Sequence, residues 1–557
     1  MEGRTWTGCC RLPMEPRLNR SPPGTAAEDP TQQTDRSATS RGGTSPMQLP
    51  RIAAAVVAVA LAMTGCSVPG DEESATKDSL NFVTVIAANT TDPHLVQAAF
   101  TLNSGAVETL VALDPRTSTL KPSLATKWDS KDGQNWTFTI RDGVKFHNGK
   151  TLTAEEVRKN IERARKVNPG VAKLLPIASM STQGQTLRIR TTERHPGLPS
   201  DFVHFNTAII DTAAGVKVPV GTGPFKIDSF DIRGETKLSR FDQYWGGRPK
   251  LAHVTMTAND DANARLLALQ SGEADLIYRP STESLDALKK DSKFTVESVP
   301  GTRVYHLIHN HAGPNARLWK NLEFRRGIDA LMDRDSITRT VMSGQGVATD
   351  NPFPGKREIS PAPGPTRQKG TAAALAHFSA AGLSVSGGKV TDSGKPISMT
   401  IVTYVARPEL PQMAQVLENA ASRVGISFKI VTADNIDEYL TQNRSRWDVA
   451  TYSVNTITRG DGSYFVNGSL APGGAQNHGS LDDPAVNSLI ASYNTAVGEK
   501  PRAEIARRIA ATVRDNYYNA YLVSPNETAA YDSSVTVWIT PPNEFEYPMI
   551  TKDLARA

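Results

Sequence analysis

Two stretches of the sequence have residue types and spacings that come close to a phosphate site and a metal site. In residues 143–151, five residues separate the two glycines, whereas a phosphate-binding loop needs four to close its ring of backbone N–H groups. His306, His309 and His311 lie close together, and His309 and His311 would share one face of a strand. A zinc site normally takes a further ligand at a helical or turn spacing, so ordinary strand and loop histidines are the alternative. No Gly-x-Ser-x-Gly motif occurs, so the sequence offers no nucleophile of that type.

A third chemical feature is a cysteine that follows an apolar run. Residues 52–63 are all apolar, come directly after Arg51, and lead into Thr64, Gly65 and Cys66. The run is too short for a membrane-spanning helix, which needs roughly 20 residues, and is typical of a secretion signal. Residues 63–66 resemble a bacterial lipobox, so we expect Cys66 to be acylated as a membrane anchor. A plain signal peptide with an incidental cysteine is the alternative.

The residues before the cysteine divide into two parts. Residues 1–46 are rich in Pro, Thr, Gly, Ser and Arg without apolar periodicity, which predicts disorder. Because residues 47–65 by themselves have the pattern of a lipoprotein signal peptide, we expect Met47 to be the start and residues 1–46 to be an over-extended reading frame. A cytoplasmic tail is the alternative. Residues 66–79 are small, polar and acidic, and we expect them to form a flexible tether.

The remaining chain has the length and mixed patterns of a large α/β protein. The sequence has 557 residues, which is too long for one hydrophobic core. Its formal net charge is +5, and it contains no basic block that would indicate nucleic-acid binding. Strand-like and helix-like segments alternate along it. Thr153 and Glu156 predict a capping box at a helix start, and residues 262–272 and 324–342 predict further helices.

Three sequence blocks together carry a family resemblance. The first is residues 122–157, with Trp-Thr-Phe-Thr-Ile-Arg-Asp-Gly-Val-Lys-Phe-His-Asn-Gly at its centre. The second is residues 221–275, which contain Gly-Thr-Gly-Pro-Phe and Tyr-Trp-Gly-Gly-Arg-Pro-Lys, and the third is residues 324–335. In this order they resemble the extracytoplasmic solute-binding proteins of the oligopeptide, dipeptide and nickel ABC importers.

The resemblance implies a two-lobed periplasmic-binding-protein fold with a hinge (type II, cluster C-like). The first lobe would be residues 80–303, including an extra small domain at about 116–216. The second lobe would be residues 304–520, and residues 521–557 would return to the first lobe. The hinge strands would lie near residues 304–310 and 521–531.

The function implied is that of a lipid-anchored receptor on the extracytoplasmic face of the cell membrane. It would capture a peptide or similar small solute as a monomer and deliver it to an ABC permease, without catalysis or a cofactor. A receptor for a metal chelate or other non-peptide solute is the first alternative. A secreted hydrolase, and a sensory or chaperone protein on the same fold, are the others.

The ligand residues are predicted by similarity to the peptide receptors. In them, a segment after Trp-Asp-Val carries an Asp for the peptide ammonium and then Asp-Pro. Here Thr458 stands at the first position, Asp461 at the second, and Gly462 replaces the proline. Either Asp461 binds the ammonium or the ligand lacks a free amine. Arg459 could bind a carboxylate through two hydrogen bonds, or pair with Asp461 in a surface loop. The predicted ligand-binding residues are Tyr452, Asn455, Thr458, Arg459, Asp461 and Phe465, with Asn89 and Glu108 of the first lobe.

Overall fold

The computed structural model describes residues 77–85, 87, 89–95, 99–232 and 234–557. Cys66, the predicted extension, the signal peptide and most of the tether lie outside the described residues. No helix in the described part of the chain is both long and apolar enough to cross a membrane.

The strands are β1 (Ser79–Thr84), β2 (Val111–Leu113), β3 (Leu120–Pro122), β4 (Ala125–Asp129), β5 (Asn135–Ile140), β6 (Ile177–Gln183), β7 (Thr186–Thr191), β8 (Phe225–Phe230), β9 (Thr236–Arg240), β10 (His253–Ala258), β11 (Leu276–Tyr278), β12 (Phe294–Pro300), β13 (Arg303–His309), β14 (Gly346–Ala348), β15 (Ser384–Ser386), β16 (Lys389–Asp392), β17 (Lys395–Thr403), β18 (Ile426–Thr432), β19 (Val449–Asn455), β20 (Asn519–Asp532), β21 (Val535–Thr536) and β22 (Ala555–Arg556). The α-helices are α1 (Ala99–Asn103), α2 (Ala154–Val167), α3 (Pro169–Leu174), α4 (Leu198–Asp201), α5 (Ala262–Ser271), α6 (Leu285–Leu288), α7 (Ala316–Lys320), α8 (Leu322–Ala330), α9 (Arg334–Thr340), α10 (Thr371–Ala380), α11 (Glu409–Arg423), α12 (Ile436–Gln442), α13 (Ser463–Phe465), α14 (Pro484–Thr495) and α15 (Glu499–Asp515).

The first lobe is built on the strand order β20-β11-β1-β10-β9-β8. Strand β1 lies between β10 and β11 and runs parallel to both. Its alternating pattern directs Leu80 and Phe82 into a core that also contains Phe225 and Trp538. The parallel strands therefore end at one edge of this sheet, where ligands of α/β proteins usually bind.

A small domain inserted in the first lobe has its own antiparallel sheet, β4-β5-β7-β6, covered by α2 and α3. Thr153 caps α2 by accepting a hydrogen bond from the Glu156 backbone N–H at 3.2 Å. The Glu156 carboxylate, predicted to complete the capping box, is engaged by Lys150 and Lys159 at 3.0 Å each. The cap is thus one-sided, because nearby lysines hold the glutamate.

The second lobe has the strand order β15-β16-β17-β19-β13-β20, with β18 also paired to β17. Helices α8, α10 and α11 pack on one face of this sheet, and α12, α14 and α15 pack on the other. The helix predicted over 324–342 is wrong as a single element. Helix α8 ends at Ala330, and Asp333 begins α9 by accepting hydrogen bonds from the backbone N–H groups of Asp335 and Ser336.

Two antiparallel strands connect the lobes. Strands β12 and β13 follow each other across residues 301–302 and pair with different halves of the long strand β20. Glycine is needed at 301, because a Cβ there would lie 2.6 Å from the carbonyl oxygen of Pro525. After β20 the chain returns to the first lobe, where Trp538 and Tyr547 are buried. The predicted hinge segments lie on these connecting strands.

Candidate ligand site between the lobes

The carboxyl ends of the parallel strands in both lobes border one interlobe cleft. Strand β11 of the first lobe leads into residues 279–283, and β17 of the second lobe leads into residues 404–408. Residues from both segments line a cavity of about 540 Å³ together with the connecting strands. The cleft is therefore formed where ligands bind in open α/β sheets, from both lobes at once.

A tight turn after β19 lies where the second lobe meets the first. Thr458 and Asp461 pair as an isolated bridge, and between them Arg459 (φ 53°) and Gly460 (φ 77°) adopt left-handed backbone. A Cβ at Gly460 would lie 2.8 Å from Leu113 and 2.9 Å from the Ser118 carbonyl oxygen, both in the first lobe. A strained non-glycine residue next to so close a contact is typical of a functional segment.

Arg459 and Asp461 are buried, and each faces a different partner. Arg459 Nε lies 3.3 Å from Asp201 Oδ1 of the small domain, without an aligned hydrogen bond. Asp461 Oδ2 accepts a 2.8 Å hydrogen bond from Arg502 Nη2 and also a bond from Ser463. Burial raises the pKa of Asp461, but Arg502 outweighs it and holds the pKa below its usual value. The alternative of a mutual surface pair does not describe these two residues.

Three buried oxygens near this turn have unused hydrogen-bonding capacity. Asn455 Oδ1, Thr458 Oγ1 and Glu546 Oε2 make no hydrogen bond within the described protein. Leaving such a group unsatisfied costs about 1–3 kcal/mol, so each favours a ligand that donates a hydrogen bond. Burial raises the pKa of Glu546 to about 7, with Arg459 opposing and Glu544 reinforcing the rise. These atoms and Arg459 form what we call the interface cluster.

A group of arginines adjoins the interface cluster. Arg303 is the register partner of Asn455, so both side chains lie on one face of the sheet. Arg303 Nη2 lies 3.4 Å from Glu544 Oε1, and Arg279 Nη2 lies 3.0 Å from Glu544 Oε2. Burial alone would raise the pKa of the Glu544 carboxyl, but the positive charges of Arg279 and Arg303 outweigh burial and hold this pKa below its usual value.

Arg407 brings a further cation to this group. It lines the 540 Å³ cavity, and none of the described carboxylates lies within ion-pair distance of it. Burial lowers the pKa of Arg407, and the neighbouring charge of Arg303 lowers it further. An unpaired guanidinium in a cleft can bind a carboxylate with two hydrogen bonds.

Two predicted residues of the 447–465 segment face the second-lobe core. Tyr452 donates a 2.5 Å hydrogen bond to Asp437 Oδ1, which His478 Nε2 also contacts at 3.0 Å. Phe465 is fully buried against Phe353, with ring centroids 5.9 Å apart. Neither is part of the interface cluster, and their ligand-binding roles remain predictions.

The two predicted first-lobe residues lie in different surroundings. Asn89 is exposed in the loop after β1. The Glu108 carboxylate accepts hydrogen bonds from Thr222 at 2.8 Å, Tyr244 at 2.8 Å and Trp245 at 2.9 Å. Burial raises the pKa of Glu108, and these three donors oppose the rise. The structure therefore does not bring Glu108 to the interface cluster, and its predicted role also remains untested.

Sequence reasoning missed several residues of the cleft. Arg407 had a usable signal, because it follows residues 397–403, whose many branched side chains are typical of a strand. Glu544 and Glu546 had none, because their position depends on the C-terminal return of the chain. The described residues contain no group of three or more His, Cys, Asp or Glu side chains that could hold a metal ion.

Comparisons with known proteins agree with this architecture. The family described as "Bacterial extracellular solute-binding proteins, family 5 Middle" matches residues 119–477. The nickel-binding protein NikA of Staphylococcus aureus is 31% identical over 492 residues, covering 88% of this chain and 96% of that protein. The dipeptide-binding protein of Escherichia coli is 24% identical over 300 residues, covering 47% and 56%.

Solved structures give the same result. A nickel ABC transporter structure from Bacillus halodurans has 35% identity and a TM-score of 0.79, covering 86% of this chain and 100% of that chain. NikA from S. aureus in complex with Ni(L-His)2 has 28% identity and a TM-score of 0.68, with the same coverage. The chain belongs to the family 5 bacterial extracellular solute-binding proteins.

This membership confirms the predicted family and the two-lobed α/β fold. The protein is thus an extracytoplasmic substrate-binding receptor of an ABC importer and not an enzyme.

Proposed function

We propose that this receptor captures a nickel chelate built from small amino-acid-type molecules and delivers it to a membrane permease. The cargo is supported by relatives that align over nearly their full length. The S. aureus protein aligned over 96% of its length is a nickel-binding protein, whereas the dipeptide-binding relative aligns over 56% of its own.

The observation that carries the proposal is the mixed chemistry of the cleft. Arg407 and Arg303 offer cations to a carboxylate, while Asn455 Oδ1, Thr458 Oγ1 and Glu546 Oε2 accept hydrogen bonds from N–H groups. A ligand with both carboxylate and amine or imidazole groups complements this set. Because the described residues form no metal-ligand cluster, the nickel would arrive with its own chelating ligands.

A short peptide is the second candidate, because its termini present the same carboxylate and ammonium groups. The relatives include the E. coli dipeptide-binding protein, and Arg407 with Glu546 would suit a zwitterion. The two candidates differ in whether binding requires nickel.

Calorimetry separates these cargoes. We expect binding of Ni²⁺ in the presence of L-histidine and no binding of Ni²⁺ alone or of a dipeptide. Metal analysis of protein purified from nickel-supplemented cells should find the metal. If the protein binds the dipeptide and does not respond to nickel, the peptide candidate replaces the nickel chelate as the proposed cargo. If it responds to neither ligand, the nickel-chelate proposal has no support.

We also propose that the lobes close by hinge motion about β12–β13 and β20. Finally, we propose that the receptor is anchored to the membrane through lipid on Cys66. The anchor is supported by the apolar run of residues 52–63 and by Thr64-Gly65-Cys66. Two acyl chains suffice for stable anchoring. Cys66→Ser should release the protein from membranes or leave it unprocessed. A mutant that fractionates and migrates like the wild type would contradict the anchor.

A further inference from the structure

Arg459 differs from the other buried arginines in the described part of the chain. Six arginines there are buried, and every one except Arg459 donates at least two hydrogen bonds to protein acceptors. The Arg459 guanidinium donates none to any described residue. Because a guanidinium carries five N–H donors, its burial without acceptors is costly. The five arginines that are satisfied are Arg265, Arg303, Arg325, Arg502 and Arg514.

The charged and aromatic neighbours of Arg459 do not supply the missing acceptors. Asp201 Oδ1 lies 3.3 Å from Nε without hydrogen-bond alignment, and Asp201 Oδ2 is bonded to His195 Nε2 at 2.5 Å. Glu546 Oε2 has no donor among the described residues, so it does not bond Arg459 either. Tyr464 offers only the face of its ring, whose centroid is 5.9 Å from the guanidinium carbon. Arg459 is therefore compensated by charge and not by hydrogen bonds.

His204, which also lies near Arg459, is unable to act as the acceptor. Burial, and after it the positive charge of Arg459, lower the pKa of His204 to about 3, so its imidazole is neutral near pH 7. Its Nδ1 accepts a 3.1 Å hydrogen bond from the backbone N–H of Asn206. The other ring nitrogen therefore carries the proton and is a donor.

The surroundings of Arg459 come from both lobes. Arg459 belongs to a second-lobe turn, whereas Asp201 belongs to the small domain and Glu546 to the C-terminal return into the first lobe. The first lobe also fixes the turn, since a Cβ at Gly460 would lie 2.9 Å from the Ser118 carbonyl oxygen. Contact between the lobes thus removes water from the Arg459 guanidinium without giving it a hydrogen-bond acceptor.

The two ends of this guanidinium differ in how accessible they are. Nε is enclosed by protein beside Asp201, whereas Nη1 and Nη2 are not enclosed. A ligand between the lobes can reach Nη1 and Nη2. Two parallel N–H donors of this kind match the two oxygens of a carboxylate.

We propose that Arg459 makes lobe closure depend on a ligand carboxylate. Closure of the empty protein buries the Arg459 guanidinium unsatisfied and is therefore disfavoured. A carboxylate bonded to Nη1 and Nη2 removes this cost, so the closed form is favoured when ligand is present. The identity of the ligand rests on the proposed function, whereas the effect on the empty protein is measured without any ligand.

Solution X-ray scattering of the full chain without ligand tests this role. Arg459→Met keeps a long side chain but removes the charge and the donors. The ratio of closed to open protein should rise about ten-fold or more, which appears as a smaller radius of gyration. Arg508→Met removes the same charge from an exposed position of α15 and should scatter like the wild type. An unchanged or larger radius for Arg459→Met would overturn the proposal.

Asp201→Asn should change the radius of gyration in the opposite direction. It removes the negative charge nearest to Arg459, so the buried cation is less compensated and the closed form is less favourable. A general loss of packing does not produce a smaller radius in one variant and a larger radius in the other. A smaller or unchanged radius for Asp201→Asn would overturn the proposal, and this variant decides by itself if Arg459→Met fails to fold.

Calorimetry with Ni²⁺ and either L-histidine or histamine, which lacks the carboxylate, tests the contact with the ligand. In the wild type, L-histidine should support binding about 30-fold tighter than histamine, and Arg459→Met should reduce this preference about ten-fold. A preference that Arg459→Met leaves unchanged would overturn the assignment of the carboxylate to Arg459. If the wild type binds neither chelate, the proposed cargo fails, and the scattering of the empty variants still decides the role of Arg459.

Discussion

Desolvation raises the pKa of both Glu108 and Glu546, yet the two glutamates differ in what surrounds them. Glu108, inside the first lobe, receives hydrogen bonds from three side chains. Glu546, at the lobe interface, leaves Oε2 without a partner beside the charges of Arg459 and Arg303. A raised pKa is therefore common to a structural carboxylate and a candidate binding carboxylate. Unused hydrogen-bonding capacity at the lobe interface distinguishes the second.

The largest expected effect is on stability. Glu108→Ala leaves three part-buried donors without their acceptor, and we expect it to lower the free energy of unfolding by about 3 kcal/mol. Glu546→Ala, which removes an unsatisfied group, should change it by less than about 1 kcal/mol. Denaturant unfolding of both variants measures the difference. Similar losses in the free energy of unfolding for the two variants would contradict the distinction between Glu108 as a structural carboxylate and Glu546 as a candidate binding carboxylate.

Ligand affinity should respond to Arg407. Arg407→Ala removes the unpaired cation of the cleft, and loss of one partner of a buried charge pair typically costs about 2–5 kcal/mol, or about 30-fold or more in Kd. Calorimetry with Ni²⁺ and L-histidine measures this loss. Arg423→Ala, at the exposed end of α11, is the matched control and should bind normally. An unchanged Kd for Arg407→Ala would exclude Arg407 from the site.

The pH dependence of stability should depend on Glu546. Its pKa is about 7 in the folded protein against 4.5 ordinarily, so the folded chain holds this proton more tightly than the unfolded chain. Between these values, the group makes stability fall as pH rises, by at most about 1.4 kcal/mol per pH unit. Glu546→Gln removes this contribution, and the difference between variant and wild type should be flat below about pH 4. A difference that does not change between pH 4.5 and 7 would contradict the raised pKa.

The sequence predicted the fold through the order of its three resemblance blocks and through local signals, but it predicted the site only in part. On β19, alternate side chains face opposite sides, so Tyr452 and Val454 enter the core while Ser453 and Asn455 share a face with Arg303. A sequence segment taken as a whole cannot separate these two sets.

The rest of the site depends on contacts between distant parts of the chain. Arg303 meets Glu544, which lies 241 residues further along the chain, only because the C-terminal segment returns to the first lobe. Arg459 similarly meets Asp201 only when a small-domain helix and a second-lobe turn approach each other. No local pattern encodes such a meeting, whereas the three resemblance blocks each encode one lobe or domain.

The central claim is that the ligand binds at the interface cluster rather than beside Glu108. A crystal structure of the protein with Ni²⁺ and L-histidine, with anomalous data collected at the nickel edge, tests it most directly. The account predicts one nickel peak between the lobes, with chelate groups bonded to Arg407 and to the free oxygens of Asn455 or Glu546. A nickel peak in the first lobe near Asn89 and Glu108, with the interface cluster unchanged, would contradict it.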